Sequence, residues 1–255
     1  MQVKAFDADG GSLGSETIKD ITLYIFDADK ALLDTRNILL SEIVFLDYPG
    51  HDNLKLVAWG NGKQGAQSMP ALKEGDHLET AFVSLIQTRT TLPVAGSPDD
   101  LFYGTIDITP DADASARELP LRRKVSGVAI TARYLREYVG STEGEYHYIV
   151  RKTTDKLDFY GKPNGTEVNY RPQAAFNDNG EFVSSAFNIF PTGADIKIDI
   201  YHRDVLKTTV IADSNGNPLR VAEGRLLNVL VDFRGVVSVD VKVTDWGKQE
   251  IWKEF

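Results

Sequence analysis

The sequence predicts an all-β protein, folded as two tandem antiparallel β-sandwiches with little helix. Near the end of the chain Val237, Val239, Val241 and Val243 alternate with polar residues, and a period of two places these valines on one face of an extended strand. Similar alternation, or a run of β-branched and aromatic residues, recurs along most of the chain. Turn sequences rich in Gly, Asn and Asp separate these runs at the spacing typical of a small sandwich.

Both halves of the chain contain several predicted strands. In the first half we predict strands at 21–26, 31–45, 54–59, 77–87 and 101–109. In the second half we predict strands at 146–151, 181–190, 196–201, 205–212, 226–233 and 236–246. The segment 119–134 has an apolar–polar strand pattern that either half can include, and 133–139 has helical character. We predict that 157–171 is irregular, because it contains two glycines and a proline.

The domain division follows from the polar segments between these runs. Residues 1–17 are rich in Gly, Ser and Asp, which predicts a flexible arm. The polar bridge Asp111–Ala116 is the best candidate for a junction. We therefore predict an N-terminal sandwich over 18–117 and a C-terminal sandwich over 118–255, with the boundary placed to within about 20 residues.

Composition excludes several classes of function. The 255 residues carry 28 basic and 37 acidic side chains, a net charge of −9, and this balance does not suit nucleic-acid binding. The short basic run Arg122–Lys124 points to alternating faces if it is extended, which indicates a solvated strand start. The chain has no cysteine, and therefore no disulfide, thiolate nucleophile or thiolate metal site. No apolar run reaches the roughly 20 residues that span a bilayer.

No short motif gives a convincing catalytic, cofactor or metal site. Gly10-Gly-Ser-Leu-Gly14 matches a nucleophile elbow in letters, but a polar arm surrounds it where the motif needs a strand and a helix. The four histidines, His51, His77, His147 and His202, show no zinc-ligand spacing. The acidic turns lack the closing glutamate of a calcium loop: Asp7–Gly10, Asp27–Asp29, Asp111–Asp113 and Asp213–Asn217. Gly60–Gly65 lacks the ending of a phosphate loop. We predict no catalytic, cofactor-binding or metal-binding residue.

Aromatic residues leave carbohydrate binding open as an alternative. Trp59, Trp246 and Trp252, with ten tyrosines, are residue types that form sugar-stacking platforms. Trp59 ends an apolar strand and is expected in the core, whereas Trp252 in the tail is the better candidate for exposure. Asn164-Gly-Thr166 is a glycosylation sequon. A pair of carboxylates for glycoside hydrolysis has a spatial signature, so the sequence names no such pair.

Several phrases taken together, in order and spacing, carry a resemblance to one family. They are Leu23-Tyr-Ile-Phe-Asp27, Leu56-Val-Ala-Trp-Gly-Asn61, Asp100-Leu-Phe-Tyr-Gly104, Leu121-Arg-Arg-Lys-Val-Ser-Gly-Val-Ala129 and Thr244-Asp-Trp246. In this arrangement the chain resembles the fimbrial anchor subunits of Bacteroidales, the FimB-like group of the fimbrillin superfamily. The resemblance spans roughly residues 18–246.

The resemblance implies two transthyretin-like sandwiches in a non-enzymatic cell-surface subunit. It implies an exported lipoprotein of the cell outer membrane, held by an acylated cysteine that follows the signal peptide. This chain has no cysteine, so we expect it to begin after the anchor site. Members of the family seat a pilus on the cell surface or limit its length, and they carry no catalytic residues or cofactor. The implied partners are other fimbrial subunits.

A physical hypothesis for docking follows. A sandwich with an incompletely paired edge accepts an extended strand from a partner and gains main-chain hydrogen bonds along it. The segment 236–246 and the N-terminal arm, 1–17, are the two candidates to take part. The alternative function is that of a carbohydrate-binding surface module, whose partner is a polysaccharide. The sequence does not identify the ligand-binding residues of either function.

Overall fold

The prediction of an all-β fold is confirmed by the computed structural model, which describes residues 1–63, 65–88, 93–109 and 117–252. The described strands are β1 (Gln2–Phe6), β2 (Ser12–Leu13), β3 (Ile21–Phe26), β4 (Leu32–Ile38), β5 (Leu54–Gly60), β6 (Gln67–Ser68), β7 (Phe82–Leu85), β8 (Gln87–Thr88), β9 (Val94–Ala95), β10 (Phe102–Ile108), β11 (Glu118–Arg123), β12 (Ser126–Arg133), β13 (Tyr146–Thr154), β14 (Lys156–Asp158), β15 (Glu167–Tyr170), β16 (Ala174–Phe176), β17 (Phe182–Ser184), β18 (Phe187–Ile189), β19 (Lys197–His202), β20 (Val205–Val210), β21 (Arg225–Asp232) and β22 (Ser238–Asp245). The described helices are α1 (Leu135–Val139) and a 3-10 helix at Leu78–Thr80. Within these ranges no helix has the length and apolar character needed to cross a bilayer.

The chain divides into two compact units that exchange short segments. The first unit comprises Met1–Ile86, Pro98–Val125 and Lys156–Asn164, and the second comprises Gln87–Ser97, Ser126–Asp155 and Gly165–Phe255. The sequence predicts a single change of domain between residues 117 and 118. In the structure the chain passes from the first unit to the second mainly between Val125 and Ser126. In addition, the short segments Gln87–Ser97 and Lys156–Asn164 each belong to the other unit from the residues around them. Strand pairing explains the exchange, because β14 joins β7 and β9 joins β15.

Most of the first unit is a seven-stranded sheet in the order β2-β1-β11-β10-β5-β3-β4. Alternate residues of its strands, such as Leu23, Leu56 and Leu121, form one apolar core and are fully buried. A three-stranded sheet, β14-β7-β6, completes the unit. On the face opposite the core, Phe159 lies with its ring centroid 4.9 Å from Tyr24 and 6.1 Å from Trp59.

Residues 1–17, expected to be a flexible arm, instead form part of this sheet. β1 runs parallel to β11 on one side and pairs with β2 on the other. Met1, Val3 and Ala5 point into the core and are at most 3% exposed. Alternation of Val3 and Ala5 with Lys4 is a strand signal, and the Gly-, Ser- and Asp-rich residues after it form turns, not a disordered arm.

The second unit consists of two six-stranded sheets. One has the order β16-β17-β12-β21-β22, with β18 also paired to β12, and the other has the order β20-β19-β13-β15-β9-β8. The ring of Tyr148 on β13 lies 4.8 Å from the ring of Phe182 on β17, and its hydroxyl donates a hydrogen bond to the Phe182 main-chain oxygen at 2.7 Å. The two sheets therefore face each other across one core. The apolar face predicted for Ile196, Ile198 and Ile200 is confirmed, since all three are fully buried.

Both units contain parallel as well as antiparallel pairs. The pairs β1–β11, β12–β21 and β9–β15 are parallel, whereas the prediction was of antiparallel sheets. A parallel pair needs a crossover connection, because the two strands start at the same end of the sheet. Alternation within one strand carries no information on the direction of its neighbour, so the parallel pairs were not predictable from this pattern.

Candidate functional site

The serine of the Gly-x-Ser-x-Gly sequence does not occupy a nucleophile elbow. Ser12 is an exposed residue of β2 and pairs with Phe6 of β1. An elbow holds its serine at a strained turn between a strand and a helix. The described chain has no helix after β2 until Leu78, so Ser12 lacks that setting.

The histidines make structural contacts. His77 caps the 3-10 helix by accepting a main-chain hydrogen bond, and the Nε2 of His202 lies 2.7 Å from a main-chain oxygen. His147 stacks on Tyr201 with ring centroids 5.0 Å apart, and burial lowers its pKa. His51 is half-buried in a loop. Throughout the described ranges, no group of three or more His, Cys, Asp or Glu residues is placed to hold a metal ion.

The acidic turns use their carboxylates to bind their own main chain. Asp7 accepts hydrogen bonds from two N–H groups of its turn, and Asp213 does the same. Asp27 accepts one such bond. These are ordinary turn contacts of aspartate. The turn at Asp111–Asp113 lies outside the described residues.

The glycine-rich and basic motifs are also structural. Gly60–Gly65 connects β5 to β6, so no helix follows it as a phosphate loop requires, although Gln64 is not described. The basic run ends β11, whereas the prediction was of a solvated strand start. Arg122 is exposed and Arg123 is buried, so the alternating faces are confirmed but Arg123 is not solvated. The guanidinium of Arg123 bonds the carboxylate of Asp100 through Nε and Nη2 at 2.5 and 2.8 Å. Burial raises the pKa of Asp100 in spite of this ion pair.

The tryptophans do not form one exposed platform. Trp59 is fully buried, as expected from its place at the end of an apolar strand. Trp246 and Trp252 are both half-buried, so Trp252 is less exposed than its position in the tail suggested. The sequon residue Asn164 is exposed.

The valine-rich strand near the end of the chain, β22, lies at the edge of its sheet. It pairs along its whole length with β21, and no other described strand pairs with it. Val239 shows which main-chain groups point outward, because its N–H donates to the Ser214 hydroxyl at 2.7 Å and its oxygen accepts from the Ser214 N–H at 2.9 Å. Main-chain groups alternate in direction along an antiparallel pair. The N–H and C=O groups of Val241 and Val243 therefore also point away from β21.

These outward groups form what we call the open edge, the main-chain N–H and C=O groups of Val241 and Val243. No hydrogen bond from the described part of the chain reaches them on that side. The valine side chains beside them are only partly covered. Val243 is 52% exposed and Val237 is 39% exposed, whereas Val239 and Val241 are half-buried. The edge thus presents unpaired main-chain groups together with apolar surface, the two features that a docking strand requires.

The residues that follow β22 contact part of its polar face, at Thr244 and Lys242. The segment Gly247–Trp252, which we call the tail, turns back across the outer face of the sheet. The Glu250 N–H donates to the Asn228 Oδ1 at 2.9 Å, and the Arg133 Nη2 donates to the Trp252 main-chain oxygen at 2.7 Å. Asn228 is 1% exposed and Arg133 is 5% exposed. The tail therefore satisfies two buried polar side chains and leaves the open edge uncovered.

Sequence reasoning named β22 but missed the residues that shape its surroundings. Ser214 blocks the edge at one end, and Asn228 and Arg133 hold the tail. Two of them had a usable signal, because Asn228 and Arg133 are polar residues inside runs that are otherwise strongly apolar. Ser214 had none, since its contact with Val239 joins positions 25 residues apart.

Comparison with known proteins agrees with this structure. The family model of the fimbrillin-A associated anchor proteins Mfa1 and Mfa2 matches residues 2–252. The chain is 24% identical over 276 residues to the major fimbrium anchoring subunit FimB of Porphyromonas gingivalis strain W83, with 100% of this chain and 88% of FimB covered.

Solved structures with the same fold cover nearly the whole chain. The fimbrial anchor protein Mfa2 of Porphyromonas gingivalis superposes with a TM-score of 0.65 at 14% identity, covering 96% of this chain and 97% of Mfa2. A Bacteroides thetaiotaomicron protein, named for proposed polysaccharide binding, gives a TM-score of 0.68 at 15% identity, covering 96% of each chain. The family model extends over almost all the residues whose fold is described above. The chain therefore belongs to the Mfa1/Mfa2 family of fimbrial anchor proteins, and its function is that of a fimbrial anchor subunit.

Proposed function

We propose that this protein is a non-enzymatic lipoprotein of the outer membrane that docks other fimbrial subunits by β-strand addition at the open edge of β22. Its family places it in the cell-surface fimbrium and implies interaction with other fimbrial subunits. The observation that carries the docking proposal is that the main-chain N–H and C=O groups of Val241 and Val243 point away from β21 and have no hydrogen-bond partner among the described residues.

A strand added here gains two kinds of stabilisation. Its main chain pairs with the N–H and C=O groups of Val241 and Val243, each bond contributing about 0.5–1.5 kcal/mol. Its side chains cover the valine face, and burial of apolar surface contributes about 25 cal/mol per Å². The contact at Ser214 ends the edge on one side, so the added strand has a defined register.

The charged residues of β22 limit which strands can pair with its open edge. Asp240 and Lys242 point to the face opposite the valines and are exposed. Charged side chains on an edge strand discourage indiscriminate pairing between sheets. A partner strand must therefore be apolar on one face and compatible with these charges on the other.

The N-terminal segment does not share this role. The N-terminal arm, 1–17, was the second candidate for strand addition, but its strand β1 is paired on both sides inside the first unit. Releasing it exposes Val3 and Ala5, which are at most 2% exposed. We therefore assign docking to β22.

The proposal is tested by capture from isolated outer membranes of cells that make the full-length protein, with the captured proteins identified by mass spectrometry. Val241→Pro removes one outward N–H, and proline is tolerated on the free side of an edge strand. We expect Val241→Pro to lower the recovery of fimbrial subunits roughly tenfold, because it removes a main-chain bond and places a ring in the path of the partner.

Val241→Thr is the matched control, because it keeps both the N–H and the β-branched shape. We expect it to capture subunits as the wild type does. Equal capture by Val241→Pro and wild type, with both proteins folded, excludes docking at this edge. Absence of the protein from the outer-membrane fraction contradicts the proposed location.

A further inference from the structure

A cleft on the outer face of the second unit has the features of a ligand site. It lies between strands β12 and β17 on one side and the tail on the other, and its volume is about 1040 Å³. This volume is at the upper end of the range of about 300–1,000 Å³ that small-molecule sites show. Its lining includes Thr131, Arg133, Asn177, Asn179 and Glu181 together with the tail residues.

One wall of the cleft is a hydrogen-bonded chain of polar side chains. The Arg133 Nε donates to the Glu181 Oε1 at 2.6 Å, and the Asn177 Nδ2 donates to the Glu181 Oε2 at 2.8 Å. The Asn177 Oδ1 in turn accepts from the N–H groups of Asn179 and Glu181, each at 3.0 Å. Because every member is held by its neighbour, this wall keeps one geometry before any ligand arrives.

Two amides at the cleft surface remain available. The side chains of Asn179 and Gln249 are exposed, and within the described ranges no hydrogen bond engages either amide group. An amide both donates and accepts hydrogen bonds. A ligand hydroxyl also does both, so the two groups are matched to a ligand rich in hydroxyls.

The charges of the cleft are balanced. Arg133 pairs with Glu181, and the two charged tail residues have partners of opposite sign: Lys248 lies 2.7 Å from Asp245, and Glu250 lies 2.9 Å from a lysine of β22. No net charge is left to attract an anion or a cation. This arrangement favours a neutral ligand over a phosphate, a uronate or a metal ion.

An aromatic residue completes the lining. Trp252 ends the tail, is half-buried, and is fixed through its main-chain oxygen by Arg133. Aromatic side chains offer a flat apolar body, which suits the C–H faces of sugar rings. From this combination of fixed polar groups, free amides, balanced charge and an aromatic residue, we propose that the cleft binds the neutral sugar units of a polysaccharide.

The cleft binds sugar without cleaving it. Hydrolysis of a glycosidic bond uses a carboxylic acid that protonates the leaving oxygen. The two carboxylates of the lining, Glu181 and Glu250, are each engaged by a cation. Sugar binding and strand addition use different residues, because neither Val241 nor Val243 of the open edge lines the cleft.

Affinity gel electrophoresis tests the proposal with named probes. Native gels containing a neutral polysaccharide (starch, dextran, mannan or xylan) are compared with gels containing anionic heparin or polygalacturonate. We expect at least one neutral polysaccharide to retard the wild-type chain. We expect the double variant Asn179→Ala, Gln249→Ala to lose about tenfold in affinity, because each substitution removes a polar contact with the ligand.

Asn164→Ala is the matched control, since Asn164 is an exposed amide in the first unit and lies outside the cleft. We expect this variant to be retarded as strongly as the wild type. Retardation by anionic polysaccharides alone, no retardation by any neutral one, or equal retardation of the double variant and the wild type overturns the proposal. Unchanged thermal unfolding of the variants shows that each outcome reports binding and not folding.

Discussion

Strands β1 and β22 lie near opposite ends of the chain and have similar alternating sequences, but their surroundings differ. β1 has a paired strand on each side, and Val3 within it is fully buried. β22 has a paired strand on one side only, and Val243 within it is 52% exposed. The same local pattern therefore serves a core strand in one unit and an accessible edge in the other.

Alternation of apolar and polar residues determines the faces of a strand but not its neighbours. A period of two assigns alternate residues to opposite faces of a strand. It says nothing about whether a neighbour occupies each side of the main chain. That information lies in the sheet order, so a docking edge is identified only when the topology is known.

A charged side chain introduced into each of the two strands is expected to give the largest difference in stability between them. We expect Val3→Asp to destabilise the first unit by about 4 kcal/mol or more, because an unpaired carboxylate replaces a fully buried side chain. We expect Val243→Asp to cost about 1 kcal/mol, since its side chain is half in solvent and the loss is chiefly one of strand propensity. Hydrogen exchange measured for individual peptides along a urea titration gives the free energy of unfolding of each unit separately.

Each variant is the control for the other. A comparable loss of protection in the two units shows that β22 is as enclosed as β1, which contradicts the assignment of an edge. Little effect of Val3→Asp shows that β1 is loosely held, and the N-terminal segment then returns as a candidate for strand exchange.

A buried amide helps to hold β22 on its single paired side. Asn228 on β21 donates to the Thr244 Oγ1 at 2.9 Å and accepts from the Glu250 N–H at 2.9 Å. We expect Asn228→Leu to destabilise β22 and the tail by about 2 kcal/mol, because it leaves partner groups without a hydrogen bond. Amide exchange of β22 and the tail is the measurement.

Thr244→Val provides the smaller, matched change. It removes only the hydroxyl that meets Asn228 and the Lys248 main-chain oxygen, and valine suits a strand. We expect a loss of about 1 kcal/mol. If Thr244→Val costs as much as Asn228→Leu, the hydroxyl and not the amide holds the tail.

The sequence predicted the fold class and the position of β22 well, since it placed a strand at 236–246 where the structure has Ser238–Asp245. This success has a local cause, because alternating valines suit one pleated face regardless of distant contacts. The N-terminal strand was missed because its few alternating residues stand beside a Gly- and Ser-rich run that dominates the composition of the segment.

Features that depend on distant residues were not predictable. The joining of Lys156–Asn164 to the first unit depends on pairing between Leu157 and Val83. The candidate sites depend on such contacts too, since the open edge ends where Ser214 meets Val239 and the cleft forms where the tail meets Arg133. Sequence patterns identify the faces of individual strands, but the partners of those faces come from the assembled chain.

Acid sensitivity of the turn before β22 is the smallest expected effect. Asp232 ends β21, and its Oδ1 accepts a hydrogen bond from the Arg234 N–H at 2.9 Å while its Oδ2 lies 2.9 Å from the Arg234 Nη2. Burial raises the pKa of Asp232, but the hydrogen bonds and charge of Arg234 outweigh burial and hold that pKa below its usual value of 3.8. The ionised carboxylate therefore stabilises the folded state fully at a pH above the pKa that Asp232 has in the unfolded chain. This stabilisation is lost as the pH falls through the lower pKa of Asp232 in the folded state.

We accordingly expect Asp232→Asn to lower the free energy of unfolding of the second unit by less than about 1 kcal/mol near neutral pH, because Arg234 is half-exposed and the pair is screened by solvent. The difference between variant and wild type should shrink as the pH falls below about 4. Urea unfolding at a series of pH values measures this difference. Arg234→Gln removes the positive partner of Asp232 and should reduce the same pH dependence of stability. If the difference in free energy of unfolding between Asp232→Asn and wild type does not change with pH, the charge of Asp232 does not contribute to stability. The hairpin of β21 and β22 is then stabilised by strand pairing and not by this ion pair.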